Sequence, residues 1–170
     1  MIRNATYRDL PAILEIYNDA IINTTAVYHY KPHTLEMRIA WYEEKLRDGL
    51  PVLVYEQDGK VVGFATYGPF RAWPAYKYTI EHSLYVDKHY RGKRIGVTLL
   101  EELIKTADSN EYATMVAGID ASNQASRLIH EKLAFIHAGT IYKAGYKFGN
   151  WLDLSFYQYQ LRGPETPTEE

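Results

Sequence analysis

The sequence predicts a mixed α/β (α+β) fold, a central β-sheet of about seven strands flanked by about four helices. Three observations carry this. Four segments place apolar residues at helical spacing, and the other structured segments are short runs rich in β-branched and aromatic residues. Their order is strand, two helices, three strands, helix, strand, helix, two strands, which is not the strict alternation of a doubly wound sheet. Asp58-Gly59, between two of the β-rich runs, is a hairpin signal.

Residues 2–6 read as a short strand. Asp9 is then a candidate N-cap, with Pro11 in the first turn, where a missing N–H is harmless. Leu10, Ile13, Leu14, Tyr17, Ala20 and Ile21 recur at helical spacing. A second helix follows Thr34, with Leu35, Ile39, Tyr42 and Leu46 on one stripe, and Gly49 and Pro51 stop it. Residues 51–56 and 60–67 are the arms of the hairpin. After a Gly/Pro loop, 76–86 read as a long strand, 93–109 as a helix with Leu100, Leu103, Ile104 and Ala107 inward, and 113–119 as a strand. Residues 123–133 form a short helix, and strands near 138–147 and 151–161 follow. Residues 1–161 are expected to make one domain, and the polar segment 162–170 to be a disordered tail.

A chain of 170 residues, 46% apolar and 24% charged, has the balance of one globular domain. It contains no cysteine, so disulfides, thiolate metal sites and a cysteine nucleophile are excluded. The net charge of −2 lacks the basic field that holds nucleic acid. No apolar run reaches membrane-spanning length, and residues 1–6 contain no signal-peptide core. The expectation is a cytoplasmic protein without nucleic-acid or membrane partners and without a metal.

Chemistry concentrates in three stretches. In 78–86, strand alternation puts Thr79, Glu81, Ser83 and Tyr85 on one face and Ile80, His82, Leu84 and Val86 on the other. A sheet with one wet face would look the same. The stretch His89-Tyr90-Arg91-Gly92-Lys93-Arg94-Ile95-Gly96-Val97 joins that strand to a helix. Its two glycines admit close backbone approach, the helix start attracts anions, and three cations add to the field. That combination suits a pyrophosphate, although a solvated basic turn would read alike. In the third stretch, 120–135, Asn123 could cap its helix or hydrogen-bond a ligand amide.

In this order, a strand carrying Glu81, Arg91-Gly92-Lys93-Arg94-Ile95-Gly96 opening a helix, and Asn123-x-x-Ser126-x-x-x-His130-Glu131-Lys132-Leu133-x-Phe135 resemble the GNAT superfamily of acetyl-CoA-dependent N-acetyltransferases. Ile16-Tyr17-Asn18-Asp19-Ala20, residues 71–76, 79–86 and 145–154 are similar to its phosphinothricin/methionine sulfoximine branch. The resemblance implies that acetyl-CoA lies between two splayed central strands. Main-chain groups of Leu84, Tyr85 and Val86 would pair with the pantetheine arm. Residues Gly92, Lys93, Arg94, Ile95, Gly96 and Val97 would wrap the pyrophosphate with Arg91 nearby, and Asn123 would contact the arm. Glu81 matches the family's general base, and the backbone N–H of Tyr85 would hold the oxyanion. Arg71, Ala72, Trp73, Glu81, His82 and Ser83 would contact a small amine acceptor, Arg71 clamping its carboxylate.

The resemblance further implies a homodimer, for which Trp41, Trp73 and Trp151 would suit an interface or equally a core. Three positions depart from the pattern: Arg94 and Ala134 stand where glycine is common, and Leu152 stands where some phosphinothricin-acetylating relatives have histidine. A lone His82 or His130 on an apolar face reads more readily as a satisfied core histidine than as a functional one. Other acceptors, such as a polyamine, an aminoglycoside or a protein N-terminus, and a non-catalytic acyl-CoA sensor remain open. Detoxification of an antimetabolite and housekeeping acetylation look alike at this level.

Overall fold

Asp58 and Gly59 take φ of +52° and +75°, the left-handed pair that a two-residue hairpin turn needs. At this turn β2 (Val52–Gln57) folds back onto β3 (Lys60–Pro69), with Val54 opposite Phe64. The computed structural model describes residues 1–170. Its other strands are β1 (Ile2–Asn4), β4 (Thr79–Val86), β5 (Thr114–Asp120), β6 (Ile136–Lys147) and β7 (Asn150–Gln160). The helices are α1 (Leu10–Asn23), α2 (Leu35–Arg47), α3 (Ile95–Ser109) and α4 (Gln124–Lys132). The seven strands form one mixed sheet, as the sequence predicts, and its order is β1-β2-β3-β4-β5-β7-β6. The β4–β5 ladder is parallel and couples Thr79–Thr114, Ile80–Met115 and Glu81–Val116. Both strands run on beyond its last pair, to Val86 and Asp120. No helix is long and apolar enough to cross a membrane.

The chain divides into two compact units, residues 1–67 with 83–103, and residues 68–82 with 104–170. In the first unit, Leu10, Ile13 and Ile16 of α1 meet Val52, Val54, Val61 and Phe64 of the hairpin in one apolar cluster. Each such side chain contributes roughly 1.5–3 kcal/mol when taken fully from water. Arg3 staples the edge of this unit, bonding Asp9 at 2.8 Å and Glu56 at 2.6 Å. Gly63 lets α3 approach β3: a Cβ there would stand 3.1 Å from Leu99 Cδ1 and 3.3 Å from Ile95 Cγ2.

Local details depart from the sequence expectation for identifiable reasons. Asp9 makes no side-chain bond to the start of α1. Its carboxylate is taken by the Arg3 fork and by the Thr6 N–H at 2.7 Å. On α2, Leu35 and Leu46 are exposed, whereas Arg38 and Tyr42 are buried. The helix is turned by Tyr42, whose hydroxyl donates to the Ala5 carbonyl at 2.8 Å in the core. Thr34 does cap α2, accepting from the Met37 N–H at 3.2 Å. Strand β4 begins at Thr79 rather than Tyr76, because Pro74–Tyr76 form a single 3₁₀ turn. Helix α3 begins at Ile95 rather than Lys93, because Arg94 sits at φ +63°, outside any right-handed helix.

In the second unit, β7 lies between β5 and β6, with Gly118 opposite Phe156 and Ile141 opposite Leu154. Beyond β7, Arg162 bonds Asp108 at 2.7 Å, and the Thr168 N–H donates to the Tyr78 hydroxyl at 3.0 Å.

Candidate active site

The first unit carries the loop that the sequence marked for a pyrophosphate. It leaves β4 at Asp87, whose N–H donates to the Val62 carbonyl at 2.8 Å. Asp19 anchors it from α1 through Lys88 at 3.2 Å and Arg91 at 4.0 Å. Gly92 takes φ +77°. Arg91, Gly92, Lys93 and Arg94 are all exposed. Arg94 heads α3: its carbonyl accepts the N–H of Thr98 at 3.0 Å and the Thr98 hydroxyl at 2.9 Å. The N–H groups of Ile95, Gly96 and Val97, one turn of a helix start, have no intrahelical acceptor. They form a positive end beside three exposed cations. Gly96 packs over β4, where a Cβ would be 3.7 Å from both Leu84 and Val86. These residues fit a phosphate-bearing ligand whose chain passes along Leu84, Tyr85 and Val86.

A cavity of about 270 Å³ lies in the same unit. Its walls include Tyr17, Arg38, Trp41, Phe64, Ser83 and Tyr85. The rings interlock, Tyr17 edge-on to Tyr85 at 5.4 Å and Phe64 tilted on Tyr85 at 5.2 Å. Strand alternation put Ser83 and Tyr85 on the face of Glu81, and the family resemblance implied Ser83 beside the acceptor and the Tyr85 main chain beside the pantetheine arm. Arg38 was not expected at the site. Its only sequence signal is a charge on the Arg38–Tyr42 row of α2, four residues apart and so on one face. Arg38 is 3% exposed. Its guanidinium lies 4.1 Å from the Tyr17 ring centre and 4.5 Å from that of Trp41. Nη2 donates to His33 Nδ1 at 3.4 Å, so His33 is neutral, with its pKa lowered first by burial and then by Arg38.

The second unit carries Glu81. Burial alone raises the pKa of its carboxyl, and no ion pair opposes that shift. A salt-bridged structural glutamate would show the opposite direction. Beside it β5 presents Gly118: a Cβ there would lie 3.6 Å from Glu81 Oε2, 3.4 Å from Leu154 Cδ1 and 3.8 Å from Phe156. The carboxylate thus has apolar neighbours and bare backbone next to it. Arg71, Ala72 and Trp73 are exposed, Trp73 at 65%. Arg71 lies over the Phe70 ring at 5.3 Å.

Asn123 caps α4, its Oδ1 accepting from the Ser126 N–H at 3.1 Å. Its exposed side chain keeps the amide N–H₂ available. His82 is buried and its ring stacks on that of His130 at 5.1 Å between centres. His130 Nδ1 must carry a proton to donate to the Ser126 carbonyl at 2.6 Å. Its Nε2 then accepts from His82 Nε2–H at 2.9 Å, which leaves His82 Nδ1 a buried acceptor without a donor. Burial pushes the pKa of His82 down to about 3 and lowers that of His130, so both rings are neutral. No cluster of three or more acidic or histidine side chains could hold a metal ion.

The model of the acetyltransferase (GNAT) family matches residues 12–135. The chain is 45% identical over 161 residues to the L-methionine sulfoximine/L-methionine sulfone acetyltransferase of Pseudomonas aeruginosa, covering 94% of each. It superposes on an N-acetyltransferase of Staphylococcus aureus with a TM-score of 0.95 at 60% identity, covering 95% of this chain and 98% of that one. A phosphinothricin acetyltransferase from Sinorhizobium meliloti, solved in complex with AcCoA, gives a TM-score of 0.94 at 32% identity, over 98% and 91% of the two chains.

Proposed function

The chain belongs to the acetyltransferase (GNAT) family, and from that premise we propose that it moves the acetyl group of acetyl-CoA to the amino group of a small amino-acid-like acceptor, with Glu81 as general base. The acceptors are of the methionine sulfoximine, methionine sulfone or phosphinothricin type, the substrates for which its relatives are named. Residues 1–161 act as the acetyltransferase domain, since the family match draws on both compact units.

One observation carries the catalytic assignment: Glu81 has no cationic partner, and its pKa is raised by burial alone. An ammonium has no lone pair and cannot attack a thioester. A carboxylate with a raised pKa accepts a proton more readily than an ordinary one. Glu81 removes the amine proton, directly or through one water, as the amine attacks. A positioned base of this kind contributes ~10²–10⁴ in rate.

For acetyl-CoA, the first turn of α3 and Arg91, Lys93 and Arg94 hold the pyrophosphate. The backbone of Leu84–Val86 pairs with the pantetheine arm, the Tyr85 N–H meets the charge that develops on the acyl oxygen, and the Asn123 amide contacts the arm. The thioester supplies the activated acyl carbon. Arg71, Ala72, Trp73, His82 and Ser83 remain the acceptor-side candidates, Arg71 as a carboxylate clamp. Leu152 is buried and offers no second acid or base. That favours the sulfone and sulfoximine acceptors over phosphinothricin. The exposed Trp73, Trp151, Tyr142 and Phe148 support a homodimer.

The test is CoA thiol release from acetyl-CoA with methionine sulfoximine, methionine sulfone, phosphinothricin, spermidine, an aminoglycoside and a short peptide. Turnover of a sulfoximine, sulfone or phosphinothricin, lost by ~10² or more in Glu81→Gln, is the expected result. Turnover of only a cationic amine or peptide would overturn the acceptor class. Acetyl-CoA binding without any turnover would mark a sensor.

A further inference from the structure

We propose that the Arg38 cavity receives the oxygen-bearing end of the acceptor's side chain, and that Arg38 is the residue that selects acceptors carrying sulfone, sulfoximine or phosphinate oxygens. The inference rests on the acceptor class given above and assigns it a subsite.

The cavity is built rather than incidental. Arg38 is 3% exposed, keeps its charge at any physiological pH, and has no carboxylate partner. Its surroundings are the ring faces of Tyr17 and Trp41, the Tyr17 hydroxyl and one imidazole nitrogen. Nε has no hydrogen-bond partner at all. A buried guanidinium with donors to spare is an unfavourable arrangement unless something else supplies acceptors.

The walls specify what that acceptor is attached to. Tyr17, Trp41, Phe64 and the Met37 thioether favour an apolar stem. A volume of about 270 Å³ exceeds what a bare carboxylate fills. An apolar stem ending in two or more oxygens matches both the walls and the cation. Ser83 and Tyr85 line the cavity and share the alternation of β4 with Glu81.

The experiment compares L-methionine sulfone with L-methionine, which has the same amine, carboxylate and stem but no oxygens on sulfur. Wild type, Arg38→Gln and Arg38→Lys are assayed with both, and acetyl-CoA KM is followed as an internal control. Thermal melts establish that the variants fold, and Arg38→Lys serves if Arg38→Gln does not. Wild type is expected to prefer the sulfone. In the variants the sulfone-to-methionine ratio of kcat/KM falls by about tenfold or more, while methionine and acetyl-CoA parameters stay within about threefold.

Equal losses on both acceptors would assign Arg38 to the α-carboxylate or to the fold, and would overturn the proposal. An unchanged ratio would overturn it too. Trp41 gives a readout that needs no turnover, a fluorescence change on adding methionine sulfone that Arg38→Gln abolishes. If wild type acetylates other amines but not the sulfone, the acceptor class fails. If the sulfone also leaves the fluorescence unchanged, the subsite fails separately.

Discussion

Gly118 presents bare backbone to Glu81, so that an added Cβ would stand 3.6 Å from Oε2, at ordinary van der Waals distance. The substitution Gly118→Ala is therefore sterically tolerated, yet it displaces water from beside the carboxylate. Desolvation is what already raises the pKa of Glu81, and a further methyl raises it more. The base works when ionised, so activity climbs with pH through its pKa. We expect the acidic limb of the kcat/KM profile to move to higher pH in Gly118→Ala, with the plateau largely retained. An unmoved limb would mean that another group controls it.

Arg94 and Ala134 both occupy left-handed backbone, at φ +63° and +69°. A side chain there costs roughly 1–2 kcal/mol relative to a right-handed conformation, partly offset by the smaller entropy of the unfolded chain. Ala134 follows α4, where Phe135 N–H returns to the His130 carbonyl at 2.9 Å in the manner of a helix C-terminal motif. Ala134→Gly should raise the urea midpoint, equivalent to about 0.5–1 kcal/mol, with no change in KM. Arg94→Gly should stabilise similarly but raise acetyl-CoA KM about two- to fivefold, the range for an exposed charge near phosphate. Arg94→Asn, which tolerates the same backbone, separates charge from strain. Its KM defect should shrink in 1 M salt.

The buried His82–His130 pair gives stability a pH dependence. Burial lowers the folded pKa of His82 to about 3 from an ordinary 6.5, and His130 moves the same way. The unfolded chain therefore takes up protons that the folded chain refuses. Stability is complete above about 6.5 and declines as pH falls toward about 3, by up to about 1.4 kcal/mol per unit for each ring. Glu81 has the opposite sign, because its folded pKa is raised. Denaturant melts between pH 6.5 and 5 compare wild type with His82→Gln, both of which carry the Glu81 contribution. His82→Gln should reduce the slope there, His130 and His33 keeping the remainder, whatever its effect on absolute stability. A slope unaltered by the substitution would show that His82 is not protected.

Much of this protein is legible in its sequence because the relevant signals are local. Strand alternation put Glu81, Ser83 and Tyr85 on one face of β4 and His82 on the other. The Asp58-Gly59 turn and the glycine-bearing loop before α3 are backbone properties of short segments. The positions of Arg94 and Ala134, where family members often have glycine, are explained by left-handed φ values that no spacing rule supplies.

What only the tertiary structure decided is which faces are buried and which charges find partners. The sequence suggested Asp9 as a helix cap, but Arg3, six residues away, binds it together with Glu56, which lies 53 residues from Arg3. Leu35 and Leu46 suggested the inward stripe of α2, but the Tyr42–Ala5 hydrogen bond turns the helix and buries Arg38 instead. Periodicity counts apolar residues along one element. The burial of a guanidinium among Tyr17, Trp41 and His33 depends on three segments meeting in space, and only packing determines it.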